Sequence, residues 1–556
     1  NLTRAGMGFA RSQGVSIDDI EIRQIQGGEY LFVEKQVAGQ KTEMLLPSIL
    51  SEAIQGLSFP KNMRWDSYES RFARPLRWIL ALFGTNVVPV TIEAVHSGNV
   101  TYGHRQLSPG PILIQKAADY AGVLRNNYVM PDPHERKQVI WTQVQKLADA
   151  HGGQVELDEG LLQEVTNLVE FPTAFCGSFR KDYLEVPSEV LITSMKEHQK
   201  YFPLLDFEGH LLPRFIGIRN GADNHLDNVI KGNEKVLAAR LADAKFFYDE
   251  DCRTSLEENL EKLRRVVFQD GLGTMYDKVL RIERLSALIA EALGHADKVD
   301  SISRTARLAK ADLVSQMVYE FPELQGVMGE KYALVGGESP IVAKGIREHY
   351  KPRFAHDSLP TTIAGPVVGI ADKLDTLVGS FALGRIPTGS PAPFALRRQA
   401  QGIVQILAAG GYSISLRDMI SLANSGYEDV SLSPENQTAL VEFFLARLRV
   451  YLLDQGHEYD TIDAVLASGD DRIVDLVHKV EELTVFRGTD DFVHLVTAYE
   501  RVSNLAAKAQ QASLEPSRFA AADKQFSEAL AELEQNILQR LEQKEYGSML
   551  LEFAAF

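Results

Sequence analysis

The chain is poor in cysteine, in long apolar runs and in the short motifs that usually mark catalysis. Its 556 residues include two cysteines, Cys176 and Cys252, far apart in sequence. That excludes a disulfide framework and a four-cysteine zinc site, and it fits a reducing, cytoplasmic setting. No run approaches the roughly 20 apolar residues of a membrane span. The N-terminus does not read as a signal peptide, and it starts with Asn1 rather than Met, so a processed or missing start is expected. No Gly-Lys dipeptide occurs, which removes the phosphate-binding P-loop. A dinucleotide glycine fingerprint, a nucleophile elbow and an H-E-x-x-H pair are also missing. Positive charge is in deficit, with 58 Lys+Arg against 75 Asp+Glu and a net charge of −17. Nucleic acid can then be held only through local basic patches.

What is present is ordinary globular material, 45% hydrophobic and 24% charged, in a length that suits roughly three to five domains. The pattern predicts a multidomain α+β protein. Short strand-like runs, Glu29–Glu34 and Val87–Val95, mark a first α+β region over 1–110. A second covers 111–235, with strands at Phe175–Phe179 and Leu211–Ile218 and a helical stripe through Leu161, Leu162, Val165, Leu168 and Val169. From about Asn233 helical spacing takes over, through Val236–Ala244, Leu256–Val267 and Ile282–Ile289. The expected division is a helical region over 236–410, interrupted at Gly336-Gly337 and Pro387–Pro393, and an almost wholly helical one over 411–556.

Five stretches carry chemistry-bearing residues. Lys61-Asn62-Met63-Arg64-Trp65, continuing through Arg71, Arg74 and Arg77, interleaves cations with Trp65, Tyr68, Phe72 and Trp78. Arginine forks match phosphate and aromatic faces stack on bases. The alternative is an amphipathic helix whose arginines pair with Asp66 and Glu69. Met195–Pro203 packs Lys196, His198 and Lys200 beside Tyr201 and Phe202. It suits an RNA contact, or else a helix end anchored in the core by its aromatics. Ala371-Asp372-Lys373-Leu374-Asp375 sets two carboxylates on one helical face. It resembles the closing metal helix of HD-type phosphohydrolases, which need imidazoles and carboxylates together to hold a cation. The upstream His-Asp element reads Lys310-Ala311-Asp312, with alanine in the histidine's place, and the literal His356-Asp357 pair falls in a Pro-bounded loop. An HD-like scaffold without its metal is therefore expected, with an active metal-dependent phosphohydrolase as the alternative. Pro393–Arg398 offers Arg397 and Arg398 at a helix start, for phosphate or for an interdomain carboxylate. Ala498–Leu505 reads as a helix with a core-facing Val502/Leu505 stripe.

Taken in order, these blocks resemble the β subunit of the bacterial heterotetrameric glycyl-tRNA synthetases. The resemblance rests on Phe59–Trp65, Thr101–Arg105, Glu164–Pro172, Met195–Phe202, Gly232–Leu237, Ala239–Phe247, Glu320–Gly329, Ala371–Asp375 and Pro393–Arg398. The sequence departs from that family at Ala392, where aspartate is usual, and it lacks the family's earlier N-terminal segment. Glu500–Asn504 resembles part of a helical anticodon-binding domain, whose last helices would lie beyond Phe556. The resemblance implies an α2β2 glycine–tRNA ligase of the cytoplasm. Glycyl-adenylate formation, with ATP and Mg²⁺, falls to the α subunit. This chain then carries no catalytic residue and no metal or cofactor of its own. Its expected role is to hold tRNA(Gly) and stabilise the assembly, with Lys61, Arg64, Arg71, Arg74, Lys196, Lys200, Arg397 and Arg398 as candidate RNA contacts. No membrane or DNA contact is expected.

Overall fold

The computed structural model describes residues 4–25, 28–34, 39–387, 395–507 and 520–556. The chain separates into two compact units, one of residues 1–178 and 200–233, the other of 179–199 and 234–556. Small, mostly antiparallel sheets belong to the first and nearly all long helices to the second, so the α+β expectation holds.

The first unit is organised around a three-stranded sheet in which Leu211–Asn220 lies between Pro172–Ser178 and Phe202–Leu205. The register sets Phe175 opposite Gly217 and Gly177 opposite Phe215. A Cβ on either glycine would come within 2.4 Å of the facing ring, so each Phe occupies space that only glycine leaves. The helix Pro133–Ala150 starts from Asp132, whose carboxylate accepts from the His134 N–H, with proline at its first turn. Its Ile140, Val144 and Ala148 pack with Leu161, Leu162 and Val165 of the helix Glu159–Leu168, and with Phe202, Leu204 and Ile216 of the sheet. Leu168 falls off the expected stripe and is exposed. Val87–Val95, read as one strand, is broken into short pieces, because Pro89 and the left-handed Glu93 interrupt the ladder.

Residues 59–78 do not form the amphipathic helix that was the alternative to RNA binding. They form an irregular loop closed by reciprocal backbone bonds between Met63 and Phe72, with Asp66 left-handed at φ 53°. Pro60 and Pro75 bound it, and proline suits such a loop better than a helix interior.

The second unit is built around the helix Ala364–Ala382. Hydrophobic on all sides and almost wholly buried, it is the central rod of a bundle. The helices Met275–Ala292, Val299–Leu308, Pro340–Glu348, Leu396–Gly410, Leu416–Asn424 and Pro434–Asp454 surround it. Val367, Ile370, Leu374, Leu377 and Phe381 are fully inaccessible. The stripe expected to run through Val267 ends sooner, and Val267 is exposed. The helix Asp490–Ala506 contains Ala498–Leu505, but it buries no residue. Tyr499, Val502 and Leu505 are exposed, so the expected core-facing stripe is not found among the described residues.

Candidate functional site

Four polar or charged positions within one five-residue stretch interrupt the apolar rod: Asp372, Lys373, Asp375 and Thr376 all lie at or near full burial. A charge in such a place must be paired, and the surrounding helices supply the partners. Lys310 Nζ donates to Asp372 Oδ2 at 2.7 Å, and Lys278 Nζ lies 3.0 Å from Asp372 Oδ1. Lys278 also donates to Asp375 at 3.2 Å and to Thr376 Oγ1 at 2.7 Å. Arg281 grips Asp375 with two forks, at 2.7 and 3.2 Å, while its guanidinium faces the Tyr427 ring at 4.3 Å. Lys373 spends its ammonium on the backbone carbonyls of His349, Lys351 and Gly369.

His349 completes the cluster. Its Nε2 lies 2.9 Å from Lys310 Nζ, and Nδ1 lies 2.5 Å from the Ile346 carbonyl. If Lys310 donates, Nε2 must accept, and the ring proton then sits on Nδ1 facing the carbonyl. Burial, reinforced by the Lys310 charge, holds the imidazole well below its usual pKa and so neutral. Burial would raise Asp372, but Lys278 and Lys310 outweigh it and hold the carboxyl well below the ordinary range. Burial pulls Lys373 down to about 8. The chain His349–Lys310–Asp372–Lys278 thus alternates acceptor and donor without a gap.

This geometry corrects the reading of Lys310-Ala311-Asp312. Asp312, taken there as the aspartate of the metal element, turns elsewhere and accepts from the Gly326 and Gly329 N–H groups at 2.6 and 3.0 Å. Burial pushes it up to about 6. Lys310, rather than a residue at Ala311, is what meets Asp372. The imidazole beside Asp372 is His349, which the sequence reading missed. The signal was weak: a single histidine at a helix end, just before Lys351-Pro352. Asp372 and His349 both have metal-ligating atoms, and Lys310 engages both. A divalent cation would have to displace an ammonium ion to reach them, so these residues fit a metal poorly. The His356-Asp357 pair lies in a loop, where Asp357 accepts from the Arg353 and Ser358 N–H groups. Among the described residues, one group of three or more ligating side chains lies close enough to share an ion, the partly exposed turn Asp206, Glu208 and His210.

The candidate RNA contacts are scattered. Lys61, Arg64, Arg71 and Arg74 share the exposed 59–78 loop. Arg64 pairs with Glu69 at 2.9 Å, as the structural alternative expected, whereas Arg71 donates to Asn62 at 3.2 Å. No polar partner for the Arg74 side chain occurs among the described residues. Lys200 is left-handed at φ 57° and pairs with Glu164 at 3.0 Å. Its neighbours Tyr201 and Phe202 are buried, Tyr201 stacking on Phe215 at 4.4 Å, so the core-anchor reading of this stretch holds for the aromatics. Lys196 sits on the π-helical turn Ser194–His198, in the other unit from Lys200. Arg397 and Arg398 lie in the first turn of Leu396–Gly410. Ala392, Pro393 and Phe394 lie outside the described residues.

Fold and site together define a mostly helical, multidomain α+β protein whose buried acidic centre is closed by its own lysines. The sequence pattern of the family described as "Glycyl-tRNA synthetase beta subunit" matches residues 1–467. The chain is 49% identical to the glycine–tRNA ligase beta subunit of Desulforamulus reducens, across all of this chain and 81% of that protein. It is 48% identical to that of Moorella thermoacetica, across 92% and 74%, and 45% identical to that of Clostridioides difficile, across 100% and 81%. The chain belongs to the glycyl-tRNA synthetase beta-subunit family.

Proposed function

We propose that this chain is the tRNA-holding, assembly-stabilising subunit of a cytoplasmic α2β2 glycine–tRNA ligase. The partner α subunit forms glycyl-adenylate from glycine, ATP and Mg²⁺, and glycine is then transferred to tRNA(Gly). The observation that carries this reading is the family match over residues 1–467 in a chain without a nucleotide-activating signature. The ammonium-filled centre at Asp372 supports it, because a metal-dependent phosphohydrolase would need that carboxylate and His349 free for a cation. The HD-like helical scaffold then serves as a platform, and the helices toward the C-terminus form an anticodon-binding-like region.

An acidic body repels RNA at long range, so affinity must come from concentrated patches. Lys61, Arg64, Arg71 and Arg74, on an exposed loop with Trp65 and Tyr68, form one such patch. Lys196, Lys200, Arg397 and Arg398 supply further contacts. Charge reversal at Arg71 and Arg74 is expected to weaken tRNA binding by the assembled complex. The slope of log affinity against log salt should drop by about 0.7 per lost phosphate contact. Unchanged affinity and slope, with assembly intact, would make these arginines structural.

A further inference from the structure

Arginines in the helical unit are usually paired: Arg281 with Asp375, Arg304 with Glu338, Arg307 with Glu257, and Arg347 with Glu330. One place differs. Arg353, Arg397, Arg398 and Arg447 line a cavity of about 540 Å³ with no carboxylate among its described lining residues. For Arg353, Arg398 and Arg447, no acidic partner occurs among the described residues. Arg447 Nε is buried without a hydrogen-bond partner. Burial, and then the charge of Arg397, press the Arg447 guanidinium below its ordinary range, which an anion bound at Arg447 would offset.

The same cavity carries an aromatic, Phe354, which is 60% exposed, beside the amide side chain of Gln401. Through Arg353, Pro352 and Arg398 it shares its wall with a second cavity of about 630 Å³, lined by Phe268 and Tyr350 and floored by the Asp372 cluster. Volumes of this size suit a small ligand. Arginine forks select phosphate oxygens, and an open aromatic face selects a nucleobase.

We propose that this arginine-lined cavity is a binding site for a single phosphorylated nucleotide unit, its phosphate held by Arg353, Arg398 and Arg447 and its base stacked on Phe354. The inference goes beyond tRNA holding by the 59–78 loop; because Arg398 is also one of the tRNA contacts proposed above, its RNA form rests on that reading, whereas its free-nucleotide form does not. The unit is either a free nucleotide or one carried by an RNA strand.

The test is titration calorimetry on the full chain without its α partner, with AMP, adenosine, inorganic phosphate and a short single-stranded RNA as probes. AMP should saturate the site below roughly 1 mM. Adenosine and inorganic phosphate should each bind at least about tenfold more weakly, because each lacks half of the recognised chemistry. Arg398→Ala, at an exposed position, and Arg353→Ala should each weaken AMP about tenfold. Phe354→Ala should weaken AMP and leave inorganic phosphate unchanged. If RNA binds far more tightly than AMP and is lost with the same substitutions, the nucleotide belongs to an RNA chain. If AMP binds as well as RNA does, the ligand is free. The proposal is overturned if neither AMP nor RNA binds, if inorganic phosphate matches AMP, or if binding survives both arginine substitutions in folded protein. Because tRNA binding through Arg71 and Arg74 is measured separately on the complex, the two readings fail independently.

Discussion

Removing the Lys310 side chain would leave Asp372 with one ammonium instead of two, and His349 without the donor that fixes its tautomer. Breaking a buried pair from one side is costly, and Lys310→Ala should lower stability by about 3–5 kcal/mol. Denaturant midpoints would show it, and a loss under about 1 kcal/mol would mean that water or Lys278 already neutralises Asp372. The same cluster makes stability depend on pH. The folded state holds His349 neutral, with a pKa below its unfolded value near 6.5. Below that pH the unfolded chain binds a proton that the folded chain does not. Stability should therefore fall on acidification, by up to about 1.4 kcal/mol per pH unit from this group. Asp372 acts in the same direction below about pH 4, where the unfolded chain protonates this carboxyl and the folded chain keeps it ionised. His349→Gln should flatten the slope between about pH 6.5 and 5 while leaving the later acid loss. An unchanged slope would show that the imidazole titrates freely. None of this was legible in the sequence. Periodicity marks Asp372 and Asp375 as sharing a face, but which distant cation meets them is decided by the packing of the surrounding helices, and it is Lys310, not Asp312, that reaches Asp372.

At the scale of elements, the sequence spoke more clearly. The strand at Leu211–Ile218, the helix through Leu161 and Val165 and the break at Gly336-Gly337 all lie where the apolar period and the turn residues put them, because one element's pattern suffices to specify each. The 59–78 loop was misread as a helix alternative because its spacing of aromatics is ambiguous, whereas Pro60, Pro75 and the Met63–Phe72 bridge are not. The Asp490–Ala506 helix shows the converse failure: an apolar stripe predicts a partner face, and here Val502 and Leu505 face solvent. Within the sheet, Gly177 is a sharp test. Phe215 is fully buried beneath Tyr201 and cannot swing away. Gly177→Ala should therefore cost about 1–3 kcal/mol through overpacking, and hydrogen exchange should quicken first in Pro172–Ser178 and Leu211–Asn220. Wild-type protection in those strands would show that the ring has room to yield.

On the scale of the whole molecule, the sequence carried the family through many collinear blocks, and its missing catalytic signatures are what the proposed division of labour rests on. A chain with net charge −17 repels RNA at long range, so the proposed holding role rests on local basic patches rather than on the body as a whole. The direct test is charging of tRNA(Gly) with glycine by purified α subunit, with and without this chain, alongside ATP–pyrophosphate exchange by this chain alone. The account predicts charging only when both are present, and no glycine-dependent exchange by this chain free of α subunit. Robust exchange by this chain alone, or full-rate charging by α subunit alone, would contradict it.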